Sequence, residues 1–416
     1  MTAHATPAQP APATQTEPER YDVAVIGGGP AGSTAAQTLA QAGLRVWLLD
    51  RPGRIKPCGG AIPPRAIKDF DIPEHLLVAR ANCARIVAPS QNTVDMPIDG
   101  GFVGMVDRDT FDEWLRERAA EHGAERCEGT FKRIEQHGED VLVRYQPHGQ
   151  RRYAHHQVIR ARMVIGADGA NSAVAKQRVP GAHKGVFVAA YHEIVEAPEQ
   201  DPSYDPGRCD IHYRGDLSPD FYSWVFPHGK VLSVGTGTAQ KGFPIRDSVT
   251  QLRALTGLTG KTLRREGAPI PLKPLPRWDD GRNVLLAGDA SGVVAPASGE
   301  GIYYAMVGGQ VAAEAVLAYL ASGKAKALRQ ARRQFMRAHG RVFWILGIMQ
   351  RFWYNSDKRR ERFVSMCDDP DVQYLTWQAY MHKELVRARP AAHVRIFLRD
   401  TAHLLGFGKA TAIEKS

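Results

Sequence analysis

The chain has 416 residues, 43% hydrophobic and 24% charged, with a formal net charge of +10. This balance excludes disordered, collagen-like and low-complexity classes, and the length points to two or three domains with cores that need no disulfide or metal staple. The five cysteines (Cys58, Cys83, Cys127, Cys209 and Cys367) are odd in number and include no CxxC pair, which argues for a reducing compartment and against a zinc site.

Residues 1–20 are rich in Ala, Pro and Thr, have no apolar signal core and carry acids that a transit peptide avoids, so they read as a disordered tail. Organised structure is expected from Tyr21. The run YDVAVIG predicts a buried strand. Gly27, Gly29 and Gly32 then fit GxGxxG, a helix runs to about Ala40 with Gly43 as its stop, and the strand LRVWLL ends in Asp50. Gly27 permits the turn, Gly29 admits a pyrophosphate to the backbone, and Gly32 lets helix approach strand. The helix start offers N–H groups and a positive dipole, and Asp50 accepts from a ribose. Because Asp50 repels a 2′-phosphate, the site suits NAD or FAD rather than NADP. Cys58 follows in the Gly-rich run Pro57-Cys58-Gly59-Gly60, either as a small residue in a tight turn or as a working thiol.

Two further strands end in Asp-containing turns, at Asp168 in GADG and at Asp289 in GDA. The second leads into Pro296 to Gly301 and a helix from about Ile302 to Tyr319, with Gly288, Gly299 and Gly301 at its approach. A strand-end Asp makes an Asx turn or binds a hydroxylated chain, and a Gly-rich helix start stabilises negative charge. Between these sites, residues 185–275 show strand alternation, with a hairpin FYSWVF turning at Pro227 to Lys230 and returning as VLSVGTGT. Tyr222, Trp224 and Phe226 share one parity, so they form either a domain core or an apolar substrate face.

No segment reads as the roughly 18 apolar residues of a membrane span. From Ala321 onward there are 19 Lys/Arg against 8 Asp/Glu, interleaved with Phe343, Trp344, Phe352, Trp353, Tyr354, Trp377 and Tyr380. This helical region is expected either to meet a membrane interface or to cap the substrate site. No nucleic-acid module accompanies the charge.

Together, GxGxxG, Arg108 in DRDTFDEWL, GADG, and GDA followed by Pro and GEG resemble the flavoproteins of the para-hydroxybenzoate hydroxylase fold. The runs PCGG and YSWVFP resemble the geranylgeranyl reductase family. The stretch from about Gly340 through YLTWQAYMHKELV is similar to the branch acting on chlorophylls and bacteriochlorophylls. The resemblance runs from Tyr21 to Leu405. It implies an α/β, Rossmann-like FAD domain (21–75, 100–184 and 276–325), an inserted α+β substrate domain (76–99 and 185–275) and a C-terminal helical, basic region (326–416). It further implies FAD contacts from Gly27, Gly29, Gly32, Asp50, Arg108, Asp168, Gly288, Asp289, Gly299 and Gly301. Asp50 stands where Glu is more usual. Tyr222, Trp224 and Phe226 would line the substrate site, and Cys58 would serve the reacting alkene; no metal is implied. The implied reaction reduces a geranylgeranyl group, free as diphosphate or esterified to pigment, to phytyl. NADPH or reduced ferredoxin would be a transient donor. The implied setting is the bacterial cytoplasm at the photosynthetic membrane. An FAD-dependent aromatic monooxygenase and a non-catalytic flavin-bound pigment assembly factor are the alternatives.

Overall fold

The strand Arg20–Ile26 is buried almost throughout because it has a parallel neighbour on each side, Val46–Asp50 and Gln157–Gly166. These relations come from a computed structural model that describes residues 17–53, 55–150, 156–199 and 204–383. Glu125–His137 extends the parallel array beyond Val46–Asp50, and Val284–Leu286 extends it beyond Gln157–Gly166. Asp140–Pro147 pairs antiparallel with both Glu125–His137 and Gln157–Gly166, completing six strands. The carboxyl ends of the parallel strands therefore bring Gly27, Asp50, Asp168 and the Gly288-Asp289 turn to one edge, where open α/β sheets bind ligands.

The helix Pro30–Gln41 packs between Arg108–Glu121 and Ile302–Ser322. The last contact needs glycine: a methyl group added at Gly309 would lie 2.2 Å from the Ala31 carbonyl oxygen. Ile302–Ser322 corrects one expectation, since it is long and apolar enough to cross a membrane, with a mean hydropathy of 1.3 over its best window. Tyr303, Tyr304, Met306, Ala312 and Val316 are buried in the protein, so this helix serves as a core helix. Its burial is also broader than the single face expected, because its first turns are enclosed on all sides.

A second, seven-stranded sheet runs Thr262–Pro271, Phe187–Glu196, Val231–Thr238, Ser223–His228, Arg208–His212, Cys83–Val87 and Thr93–Pro97. All its pairs are antiparallel except Arg208–His212 with Cys83–Val87. Its central hairpin turns at Gly229-Lys230. That is tighter than expected, because Pro227 and His228 stay in the ladder opposite Leu232 and Val231. One face buries Val225, Leu232 and Val234 against Val249 and Leu252 of the helix Ile245–Leu255. The other presents Tyr222 and Trp224 to Trp353, Tyr354, Val364 and Met366. A small sheet of Ala61–Ile62, Val103–Val106 and Leu77–Ala81 links the two halves.

Three helices, Arg329–Trp353, Asp357–Met366 and Pro370–His382, form the covering layer. Arg360 pins it. Its buried guanidinium donates to the carbonyls of Ser218, Pro219 and Tyr354 and to Asp357. Of the expected tail 1–20, residues 1–16 lie outside the described residues, as does the chain beyond Lys383, whereas Arg20 already belongs to the first strand.

Candidate active site

At the sheet's carboxyl edge Gly27 has φ +104°, and a methyl added there would lie 2.4 Å from the Ala167 carbonyl oxygen. Only glycine fits this turn. At Gly29, by contrast, a methyl would meet nothing within 4 Å, so the backbone there faces open space. The helix behind it begins with Pro30, has no side-chain cap and carries no acid in its first turn. Its free N–H groups suit a pyrophosphate. Asp50 lies beside this turn, paired at 2.9 Å with Arg116, which also donates to the Gly28 carbonyl at 3.3 Å. Burial pushes the Asp50 carboxyl up, against the opposing pull of Arg116 and backbone N–H groups.

Asp168 is a helix cap in this structure. It accepts from the Ser172 hydroxyl and from the Ala173 and Val174 N–H groups at 2.6 and 3.2 Å. Burial raises its carboxyl despite these bonds. Asp289 sits in the turn Gly288–Ser291 and accepts from Lys56, a residue of the loop that carries Cys58. A methyl at Gly301 would come within 3.7 Å of Asp289 Oδ1, so this turn and the start of Ile302–Ser322 are adjacent. That helix also starts without a side-chain cap. Two uncapped helix starts and the strand-end acids thus line one edge, and these residues fit a bound FAD.

The line continues into the second sheet. Gly299 lies against Tyr222, whose hydroxyl is 3.4 Å from a methyl placed there and donates to the Ser298 carbonyl. Tyr222 and Trp224 are 6.0 Å apart between ring centroids, and Trp224 and Phe226 are 6.2 Å apart, so the three form a row. At the far end Gly59 meets Phe226, where an added methyl would lie 3.1 Å from the ring. The Cys58 loop therefore abuts the aromatic row directly. Its shape is held by Gly60 N–H to Cys58 Sγ at 3.4 Å, Val106 N–H to the Gly60 carbonyl at 2.9 Å, and His228 Nε2 to the Gly59 carbonyl at 3.0 Å. His228 Nδ1 pairs with Asp107 at 3.0 Å.

Arg108 is buried and forked onto Asp112 by two hydrogen bonds of 2.7 Å, with the Cys58 thiol also in reach. Burial opposes its charge, but Asp112 and Cys58 more than restore it, so the guanidinium stays protonated. Among the described residues no three metal-binding side chains converge.

Several residues were not singled out in the sequence. His228 directly follows the YSWVFP run, and Lys56 precedes PCGG by one residue. Glu300, inside GEG, forms a buried ion pair with Lys383, whose ammonium lies 3.9 Å from the Tyr380 ring centre. Burial pushes Glu300 up and Lys383 down, each against its partner's charge. Lys383 follows Pro370–His382, so only tertiary folding brings it to the Gly-rich turn.

A family model described as lycopene cyclase protein matches residues 22–388. The geranylgeranyl diphosphate reductase of Rhodobacter capsulatus is 56% identical, over 93% of this chain and 98% of that protein. The chain belongs to the geranylgeranyl reductase family. The geranylgeranyl diphosphate reductase of Synechocystis is 36% identical over 92% of this chain and 97% of its own length. A solved structure from Thermoplasma acidophilum, described as geranylgeranyl bacteriochlorophyll reductase-like, superposes with a TM-score of 0.75. It covers 90% of this chain and 99% of its own at 21% identity, a likeness that establishes the fold. The family member described here is thus an oxidoreductase with the FAD-dependent flavoenzyme fold.

Proposed function

We propose that this geranylgeranyl reductase saturates the isolated double bonds of a geranylgeranyl group to give phytyl, on the free diphosphate or on a chlorophyll or bacteriochlorophyll ester. The carrying observation is the unbroken run from the Gly299 turn along Tyr222, Trp224 and Phe226 to the Cys58 loop. FAD supplies a hydride at flavin N5 when reduced. Gly27, Gly29, Gly32 and Asp50 would hold its adenosine and pyrophosphate, and Arg108, Asp168, Gly288, Asp289, Gly299 and Gly301 its ribityl and ring end. Tyr222 and Trp224 lie beneath Trp353 and Tyr354, so an isoprenoid at this row would run between sheet and cap, an apolar setting that suits a chain sliding for successive reductions. It also keeps water from the carbocation character that builds on a trisubstituted alkene as its proton arrives. Cys58, at the end of that row, is positioned to deliver or gate the proton.

The sequence carries one dinucleotide fingerprint, so the electron donor, NADPH or reduced ferredoxin, docks transiently. The basic C-terminal region supports a setting in the bacterial cytoplasm with peripheral association to the photosynthetic membrane. An anaerobic assay offering geranylgeranyl diphosphate and geranylgeranyl-bacteriochlorophyll, read by mass, should show successive gains of two hydrogens on one or both. No gain on either, with donor-dependent oxygen uptake on an aromatic compound, would replace this reading with a monooxygenase.

A further inference from the structure

Along Arg329–Trp353 the exposed positions Arg333, Arg337, Arg341, Trp344, Ile348 and Arg351 recur every three or four residues. On a helix of 3.6 residues per turn they share an arc of about 80° and a length of about 27 Å. Trp344 is 69% and Ile348 47% exposed, one turn apart between the cations. The helix has six arginines and no acid in its 25 residues. Among the described residues none of the four stripe arginines forms an ion pair. Arginines at i, i+4 and i+8 repel one another, costing a few tenths of a kcal/mol per pair in an isolated helix. An exposed Trp-Ile pair adds a further cost in water. Both costs vanish against a surface that is anionic outside and apolar a few ångströms in.

We propose that this stripe docks the protein on an anionic lipid bilayer, with the helix lying in the interface plane. This deepens the peripheral-membrane reading above and rests on it. Charge selects the occupant. A second copy meeting the stripe face to face would set arginine against arginine. The chain's own residues 384–416 carry six Lys/Arg against three Asp/Glu, so they do not complement it either. Phosphate headgroups do, at about 1 kcal/mol per basic residue, while Trp344 and Ile348 reach the acyl boundary.

The inner face of the same helix explains why it is the docking element. Trp353 belongs to the cluster containing Tyr222 and Trp224, and Leu346 and Met349 pack against it. The aromatic row thus lies one helix diameter, about 10 Å, behind the docked face.

The test uses the full-length, FAD-loaded protein with vesicles of phosphatidylcholine alone or with one-quarter phosphatidylglycerol. Wild type should sediment with the anionic vesicles only, and release in 1 M salt. R337E/R341E should bind at least about 30-fold more weakly, since losing the two cations alone removes about 2 kcal/mol. W344S/I348S should retain salt-sensitive binding but lose the blue shift of tryptophan emission. Both variants should keep wild-type melting temperature, FAD content and turnover of detergent-dispersed geranylgeranyl diphosphate. That turnover separates failure of this proposal from failure of the proposed reaction. Vesicle binding by R337E/R341E equal to wild type would overturn the proposal. So would a wild-type dimer that the substitution dissociates without vesicles, because the stripe would then be a protein interface.

Discussion

His228 and Cys58 are 170 positions apart in the chain, yet the histidine reaches the Gly59 carbonyl and, with the Gly60 and Val106 N–H bonds, holds the loop that presents the thiol. The ring nitrogens face two acceptors, Asp107 and the Gly59 carbonyl, and a ring with a proton on each nitrogen donates to both. Cys58→Ala should leave flavin content and its reduction by the donor near wild type. Flavin reoxidation by the isoprenoid should slow by about 10²–10⁴-fold, the range for loss of a general acid. His228→Ala keeps the thiol but frees its loop. Reoxidation should slow by about 10²-fold, as for a misplaced reacting group. Alkylation of Cys58, mapped by peptide mass, should become faster. His228→Gln retains a donor toward Gly59 and should recover part of both effects. An unchanged reoxidation rate in Cys58→Ala would remove the thiol from the chemistry.

At the scale of elements, the aromatics of the C-terminal helices divide residue by residue between cap and open surface. Phe343, Trp353 and Tyr354 are buried and Phe352, Trp377 and Tyr380 pack on the cores, so these serve as a cap; Trp344 alone of the seven stands open. Composition could not make this division, because a tryptophan beside arginine reads alike on either helix face. Arg360 ties the cap to the Ser218 and Pro219 carbonyls beside the sheet and to the Tyr354 carbonyl within the cap, and among the described residues no other donor reaches these three. Arg360→Ala should leave them buried and unpaired, costing about 3–5 kcal/mol. Limited proteolysis should then cut first between the Ile302–Ser322 helix and the C-terminus, while the six-stranded sheet stays protected. A variant as protease-resistant as wild type would show that the cap is held by its aromatics alone.

For the whole molecule, two buried histidines set an acid limit. His212 is pushed down to about 4 by burial and by Arg214, and His339 to about 4 by burial, Lys383 and Arg65. Each has a ring nitrogen without a partner, as a neutral imidazole tolerates. Unfolded histidine titrates near 6.5, so between about 6.5 and 4 the unfolded chain takes up protons that the folded chain refuses. The stability from these groups is complete above pH 6.5 and is lost as pH falls through that window, about 2 kcal/mol each by pH 5. Denaturant midpoints at pH 7 and pH 5 should separate accordingly. His212→Gln with His339→Gln should flatten the difference, and a double variant with the wild-type slope would place the acid sensitivity elsewhere.

The dinucleotide half was legible in the chain because its signals are local. A strand, three glycines, a helix and Asp50 lie within 31 residues, and each must occupy its position for steric reasons that hold in any such fold. The order of strand-end turns and the shared parity of Tyr222, Trp224 and Phe226 were legible for the same reason, since the strand period is 2. What surrounds those turns was not. Arg116 at Asp50, Lys56 at Asp289, Lys383 at Glu300 and His228 at the Cys58 loop are pairings across 66, 233, 83 and 169 positions. No sequence periodicity spans such separations, and a lone charged residue carries no mark of its partner. The apolar Ile302–Ser322 helix shows the same limit: its composition suits lipid or core equally, and only the neighbouring helix at Ala31 settles it as core. Local sterics and periodicity fixed the cofactor edge; packing between distant segments decided which charges, rings and helix faces work there.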